Sequence, residues 1–277
     1  MASLEYQKLA GHLKSLKMSG LMEIVDEAVG LASKQDTPYL EFLEGIFSEA
    51  VRRREERGLE RKLKQASFPV AKTIADFDFN FQPSLDKQVV MNLASLSFVD
   101  RKENIIFIGP PGVGKTHLAT ALGFAACKEN YRVLFFSARQ LIRQLRSTQA
   151  DDSLDSLLRK WDYIDLLIID ELGYLALDKK DAYLLFQLIT HRYEKKSVIV
   201  TTNVAFTDWD GWLGDAVIAS AILDRLLHHS EIIAINGESY RIRRQTAVSG
   251  YNRDLTTSQD EKIGTRDTLS IKTGRVV

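Results

Sequence analysis

The chain has 277 residues, 45% hydrophobic and 27% charged, ordinary proportions for one large globular domain or a domain with a smaller companion. Thirty-seven basic side chains balance 37 acidic ones, so any nucleic-acid surface must be a local patch and not a field over the whole molecule. The single cysteine, Cys127, excludes an intrachain disulfide, no apolar stretch is long enough to span a membrane, and the N-terminus lacks a signal-peptide pattern. A cytoplasmic location is expected.

Residues before about Phe68 read as helical. Leu9, Leu13 and Leu16 mark one face, and Leu21, Ile24, Val25 and Ala28 a second, with Ser19-Gly20 as the break between them. Asp36-Thr37-Pro38 reads as a helix start, a capping residue before a first-turn proline. The helix that follows carries Leu40, Leu43, Ile46, Phe47 and Val51 on its apolar face. It runs into a stretch from Arg52 to Lys64 that holds seven basic and three acidic residues. Arg52, Arg53, Arg54, Arg57, Arg61, Lys62 and Lys64 are either a solvated face with i,i+4 ion pairs or an arm that contacts phosphates.

Phe77, Phe79 and Phe81 alternate with polar residues and read as a short extended segment at a domain seam, packing it or walling an adenine pocket. The apolar run Ile105-Ile106-Phe107-Ile108 then enters Gly109-Pro110-Pro111-Gly112-Val113-Gly114-Lys115-Thr116, which a helical run beginning at His117 follows. This is a phosphate-binding loop in its confirming context, strand before and helix after. Glycines let backbone N–H groups converge on phosphate oxygens, Lys115 reaches the β- and γ-phosphates, and the Thr116 hydroxyl ligates Mg²⁺. Cys127, on the helix that follows, reads as a small buried hydrophobe.

Further on, Arg132–Ser137 reads as a buried strand, and two helices follow, 138–146 and 154–161. Arg139, Arg143 and Arg146 share one helix face and form a candidate DNA stripe, with Arg159 and Lys160 as weaker candidates. Leu166-Leu167-Ile168-Ile169-Asp170-Glu171 is an apolar run that ends in two acids. Asp170 suits a Mg²⁺ hydration shell, and Glu171 suits orientation or deprotonation of a water. A helix, 181–193, precedes another buried strand, 197–203, which ends in the polar Asn203. If that strand lies beside the loop strand, Asn203 sits near the γ-phosphate. Residues 219–229 read as a helix bearing Asp224 and Arg225, then Ile232–Ile235 as a last strand and Asn236-Gly237 as a hairpin turn. No metal site is expected at His228 and His229, because nearby acids lack ligand spacing.

Taken together, these stretches resemble AAA+ ATPases of the DnaC/IstB group, in particular IstB-type transposition helper proteins of bacterial insertion sequences. The resemblance rests on Phe98–Ile105, Leu167–Leu175, Leu223–Ser230 and Gly237–Arg241 and covers about residues 1–244. It implies an α/β P-loop AAA+ core, a mostly parallel sheet flanked by helices, in residues 68–244, without a full helical lid. It also implies a helical N-terminal domain in residues 1–67 that meets DNA or partners. Residues 245–277 read as a flexible polar tail.

The resemblance puts Asn203 at the sensor 1 position and Arg225 at that of an arginine finger acting on a neighbouring subunit's ATP. Arg225 otherwise reads as a surface ion pair with Asp224 or Glu231. The role of Arg241 stays open. The implied function is an ATPase, with ATP and Mg²⁺ between subunits, that oligomerises on double-stranded DNA and recruits a transposase. The alternative is a DnaC-type helicase loader that prefers single strands.

Overall fold

The computed structural model describes residues 4–35, 37–174 and 176–243, the side chains of 31–35 excepted. The N-terminal part is α1 (Leu4–Ser15), α2 (Leu21–Gln35) and the long α3 (Tyr39–Ala66). Its own core is thin, with Leu13, Leu21, Ile24 and Ile46 buried together. The apolar face expected of α3 is mostly open: Leu40 is 80% exposed and Val51 55%, and only Ile46 of that set is buried. Two helices before α3 do not suffice to cover a 28-residue one. The start of α3 also differs from expectation. Asp36 lies outside the described residues, and Pro38 occupies the cap position itself, with no side-chain cap bond.

The distal end of α3 belongs to a different core. Leu59, Leu63 and Ala66 pack with the helices and strands that follow. Beyond it the segment with Phe77, Phe79 and Phe81 is a succession of turns, not an extended strand. The Phe77 and Phe81 N–H groups donate to the carbonyls three residues back, at 3.1 and 3.3 Å, and the Asp78 carboxylate caps Asn80 and Phe81. Alternating aromatics arise here because every second residue of consecutive tight turns faces the core.

The main layer is a five-stranded parallel sheet of β1 (Asn104–Ile108), β2 (Val133–Ser137), β3 (Leu166–Leu172), β4 (Ser197–Thr202) and β5 (Ser230–Ala234), in the order β2-β3-β4-β1-β5. Both faces are covered, so the central strands are apolar throughout and do not alternate. One face carries α4 (Lys87–Leu93), α5 (Ser97–Asp100) and α6 (Lys115–Lys128). The other carries α7 (Ala138–Ser147), α8 (Leu154–Lys160), α9 (Lys179–Arg192), α10 (Trp209–Leu213) and α11 (Ala216–His228). Buried Asn104, at the entry of β1, locks three elements: its amide donates to the Leu226 carbonyl at 3.1 Å and accepts from the Val198 N–H at 3.0 Å.

No hairpin follows β5 among the described residues. Residues 236–239 run back over the loop after β1, and 240–243 form one helical turn. The tail read from 245 onward lies outside the described residues. Also among the described residues, no helix is long and apolar enough to cross a membrane.

Candidate nucleotide-binding site

The loop 109–114 leaves the carboxyl end of β1, between β4 and β5, where open α/β sheets place their ligands. Gly112 (φ +84°) and Gly114 (φ +104°) take left-handed conformations that let the loop curl before α6. Both are also pressed from outside. A Cβ on Gly112 would lie 2.1 Å from Ser239 Oγ, and one on Gly114 would lie 2.5 Å from the Phe77 ring. The loop is thus held between the Phe77 turn and the segment after β5. The Tyr240 N–H donates to the Gly112 carbonyl at 3.1 Å, and the Ser84 hydroxyl ties down Asn236.

A cavity of about 390 Å³ opens here, and Pro111, Gly112, Val113, Gly114, Thr116 and His117 of the predicted set border it. Lys115 borders it too, its Nζ folded onto the carbonyls of Gly109 and Pro110 at 2.7 and 2.8 Å. Burial holds this lysine below its ordinary pKa, against the pull of Asp170, and Arg241 across the cavity pushes the same way as burial. His117 packs edge-on against Phe77, and its Nε2 meets the Thr73 carbonyl at 2.9 Å. Phe77 therefore both packs the seam and walls the cavity, and Phe81 walls it too.

The two acids are set by a shared partner that the sequence reading missed. Buried Thr201 donates to Asp170 Oδ1 at 2.6 Å, and its hydroxyl oxygen accepts from the Glu171 N–H at 2.9 Å. Thr116 donates to the same Asp170 oxygen at 2.8 Å. Glu171 has φ +60°, a strained value for a side-chain-bearing residue, at a register shift between Ile169 and Leu172. That bulge turns Glu171 out of the sheet into the cavity, while Asp170 stays buried. β4 does pair with β1, and Asn203 borders the same cavity.

Two further wall residues escaped the sequence reading. Gln82 is buried; its Nε2 donates to the Glu238 carbonyl at 3.2 Å and its Oε1 has no partner. Tyr240 joins Arg241 on the rim and meets Phe81 edge-on. The Gly-Glu-Ser-Tyr-Arg run after the last strand was the sequence signal for Tyr240, and Gln82 had none.

Arg225 does not border this cavity. Its Nη1 donates to the Ala221 carbonyl at 2.9 Å, and its guanidinium lies 5.0 Å above the Phe186 ring, and not in the alternative ion pair with Asp224 or Glu231. The candidate DNA residues divide. Arg52 is ion-paired with Glu49 and Glu56, and Arg53 with Glu49, Glu27 and Glu23. Arg57 and Arg61 donate to the carbonyls of Arg53 and Arg57, and Lys62 to Asn130. Arg54 and Lys64 are exposed. On α7, Arg139 and Arg143 are exposed, while Arg146 turns aside to buried Asp181 through two hydrogen bonds. Cys127 is buried, its thiol pushed up to about 11 by burial and so inert.

Fold and loop together define a P-loop AAA+ core. The solved structures of DnaI (22% identical, TM-score 0.50, covering 59% of this chain and 90% of that one) and of DnaA bound to AMPPCP and single-stranded DNA (21%, 0.51, 62% and 52%) share this fold. The family of IstB-like ATP binding proteins matches residues 11–248. An ATP-binding protein of insertion sequence IS21 from Pseudomonas aeruginosa is 44% identical over 251 residues, 91% of this chain and 95% of that one. Its counterpart in IS232 of Bacillus thuringiensis subsp. berliner is 41% identical over 86% of this chain and 95% of the other. The chain belongs to the IstB-like ATP binding protein family.

Proposed function

We propose that the protein is a cytoplasmic, ATP-dependent regulator of transposition that assembles on duplex DNA and recruits or activates a transposase. Insertion-sequence relatives at more than 40% identity over nearly their whole length support the setting. The observation that carries the mechanism is a division of labour. One cavity gathers the loop, Lys115, Asp170 through Thr116, Glu171 and Asn203, while Arg225 stands apart from it on α11.

ATP would lie along the loop, its phosphates on the N-terminus of α6. Lys115 would leave the Gly109 and Pro110 carbonyls for the β- and γ-phosphates. Thr116 Oγ1 and the Asp170 carboxylate are hard oxygen donors and would hold Mg²⁺, which would supply charge neutralisation for the phosphates. Glu171, aimed by its bulge and held at its N–H by Thr201, orients the attacking water and accepts its proton. Asn203 hydrogen-bonds that water or the γ-phosphate. Arg225 serves a neighbouring protomer's ATP, so assembly and hydrolysis are coupled, and hydrolysis resets the assembly.

Residues 1–67 act as the partner- and DNA-facing module. Among the described candidates, the exposed Arg54, Lys64, Arg139 and Arg143 meet phosphates, whereas Arg52, Arg53 and Arg146 are tied to acids. The test is sedimentation with a non-hydrolysable ATP analogue on duplex and single-stranded DNA of equal length. Large nucleotide-dependent complexes on duplex are expected. Preference for single strands would replace this reading with a helicase loader.

A further inference from the structure

Away from the nucleotide cavity, three side chains from two elements converge. Glu194 follows α9 in a left-handed turn (φ +59°), and His228 and His229 end α11. One ligand atom from each lies within 4.8 Å of the other two. Glu194 Oε1 is 3.5 Å from His229 Nε2 and 4.0 Å from His228 Nδ1. Donors on a tetrahedral ion with bonds near 2 Å sit about 3.3 Å apart, so rotamer adjustments of exposed side chains suffice. Sequence spacing hid the site because its carboxylate comes from the far end of another helix.

We propose that Glu194, His228 and His229 bind a divalent transition-metal ion, Zn²⁺ being the type case, with a water in the fourth position. The donor set is two imidazoles and one carboxylate, which suits Zn²⁺, Ni²⁺ or Cu²⁺ and not Mg²⁺, which prefers oxygen donors such as those proposed at Thr116 and Asp170. The local field favours a cation. His228 stands in the last turn of α11, where the helix presents its negative end. Near Tyr193 the Asp224 carboxylate offsets the Arg225 guanidinium. The Tyr193 hydroxyl now meets His228 Nδ1 at 2.5 Å, and the ion displaces it, leaving it beside Glu194.

The ion would staple the ends of α9 and α11. Those helices carry Phe186 and Arg225, so the metal would brace the guanidinium on its aromatic platform.

The experiment uses the untagged full chain without nucleotide, titrated with Zn²⁺ against a chromogenic chelator. One equivalent binds at micromolar affinity or better, and Co²⁺ in its place gives the intense visible bands of tetrahedral coordination. His229→Ala and Glu194→Gln each weaken binding by about tenfold or more, whereas His12→Ala, on α1, leaves it unchanged. Zn²⁺ raises the melting temperature of the parent chain and not of His229→Ala. Binding weaker than about 100 μM, or binding indifferent to both ligand substitutions, overturns the site. None of these readouts depends on ATP or DNA.

Discussion

At the scale of single residues, the site turns on Thr201. It spans the two acids, donating to Asp170 and holding the Glu171 N–H, and it sits on β4 one residue before Thr202, whose carbonyl accepts from the Gly109 N–H at 3.2 Å. A shift of β4 would therefore move Asp170, Glu171 and the loop together. Thr201→Val keeps the shape and removes the hydroxyl, leaving a buried carboxylate oxygen one donor short and the strained Glu171 N–H without an acceptor. The expected cost is about 1–3 kcal/mol of stability. ATP turnover should fall by more than nucleotide affinity does, because Glu171 loses its aim while the loop survives. Thr201→Ser should restore both. Denaturant unfolding and steady-state hydrolysis check this; an unchanged rate in Thr201→Val would show that the bulge alone aims Glu171. Sequence could not reveal the residue, since a threonine inside Ser-Val-Ile-Val-Thr-Thr reads as one more β-branched strand former.

The elements themselves were legible to different degrees, for physical reasons. The strands of a parallel sheet covered on both faces advertise themselves as apolar runs, and the loop and acid pair follow two of them. Turns built by hydrogen bonds from Asp78 left only an alternation that mimics a strand. The segment after β5 was misread because its partners, Ser84, Gln82 and Gly112, are more than a hundred residues away. On α3 the basic run resolved into two populations that charge counting merges. Hydrogen bonds from Arg52 and then Arg53 push Glu49 down to about 2. A carboxyl lowered in the folded helix contributes its stabilisation above its ordinary value near 4.5 and loses it as pH falls toward 2. Glu49→Gln should therefore flatten the acid-induced loss of helicity across that window, read by circular dichroism. The same substitution takes one carboxylate from each of two guanidiniums, leaving Arg52 to Glu56 and Arg53 to Glu27 and Glu23. If α3 meets DNA, duplex affinity should rise and its salt dependence steepen by about one or two phosphate contacts. A salt slope identical to the parent would place the DNA surface elsewhere, with Arg139 and Arg143 on α7 the next to test.

For the whole molecule, the decisive feature is that a protomer does not bring Arg225 to its own cavity. A finger acting between subunits makes the catalytic site a property of the interface, and mixing two defective variants separates that arrangement from a structural role. Lys115→Ala loses the loop lysine and keeps the arginine; Arg225→Ala loses the arginine and keeps the loop. Each alone should hydrolyse ATP about a thousandfold more slowly than the parent, or worse. In an equimolar mixture that exchanges subunits freely, an intact site forms wherever an Arg225→Ala protomer receives the arginine of a Lys115→Ala neighbour. In a cyclic or helical array with one interface type, that is about a quarter of the sites, so turnover should return to about a quarter of the parent rate. Recovery should appear only under conditions in which the protein assembles, since isolated protomers cannot share the arginine. If the mixture hydrolyses no faster than the sum of its parts while still assembling, Arg225 does not act across the interface. Its place over Phe186 would then be a packing role that holds α11 on α9, and Arg225→Ala should show it as a lower melting temperature.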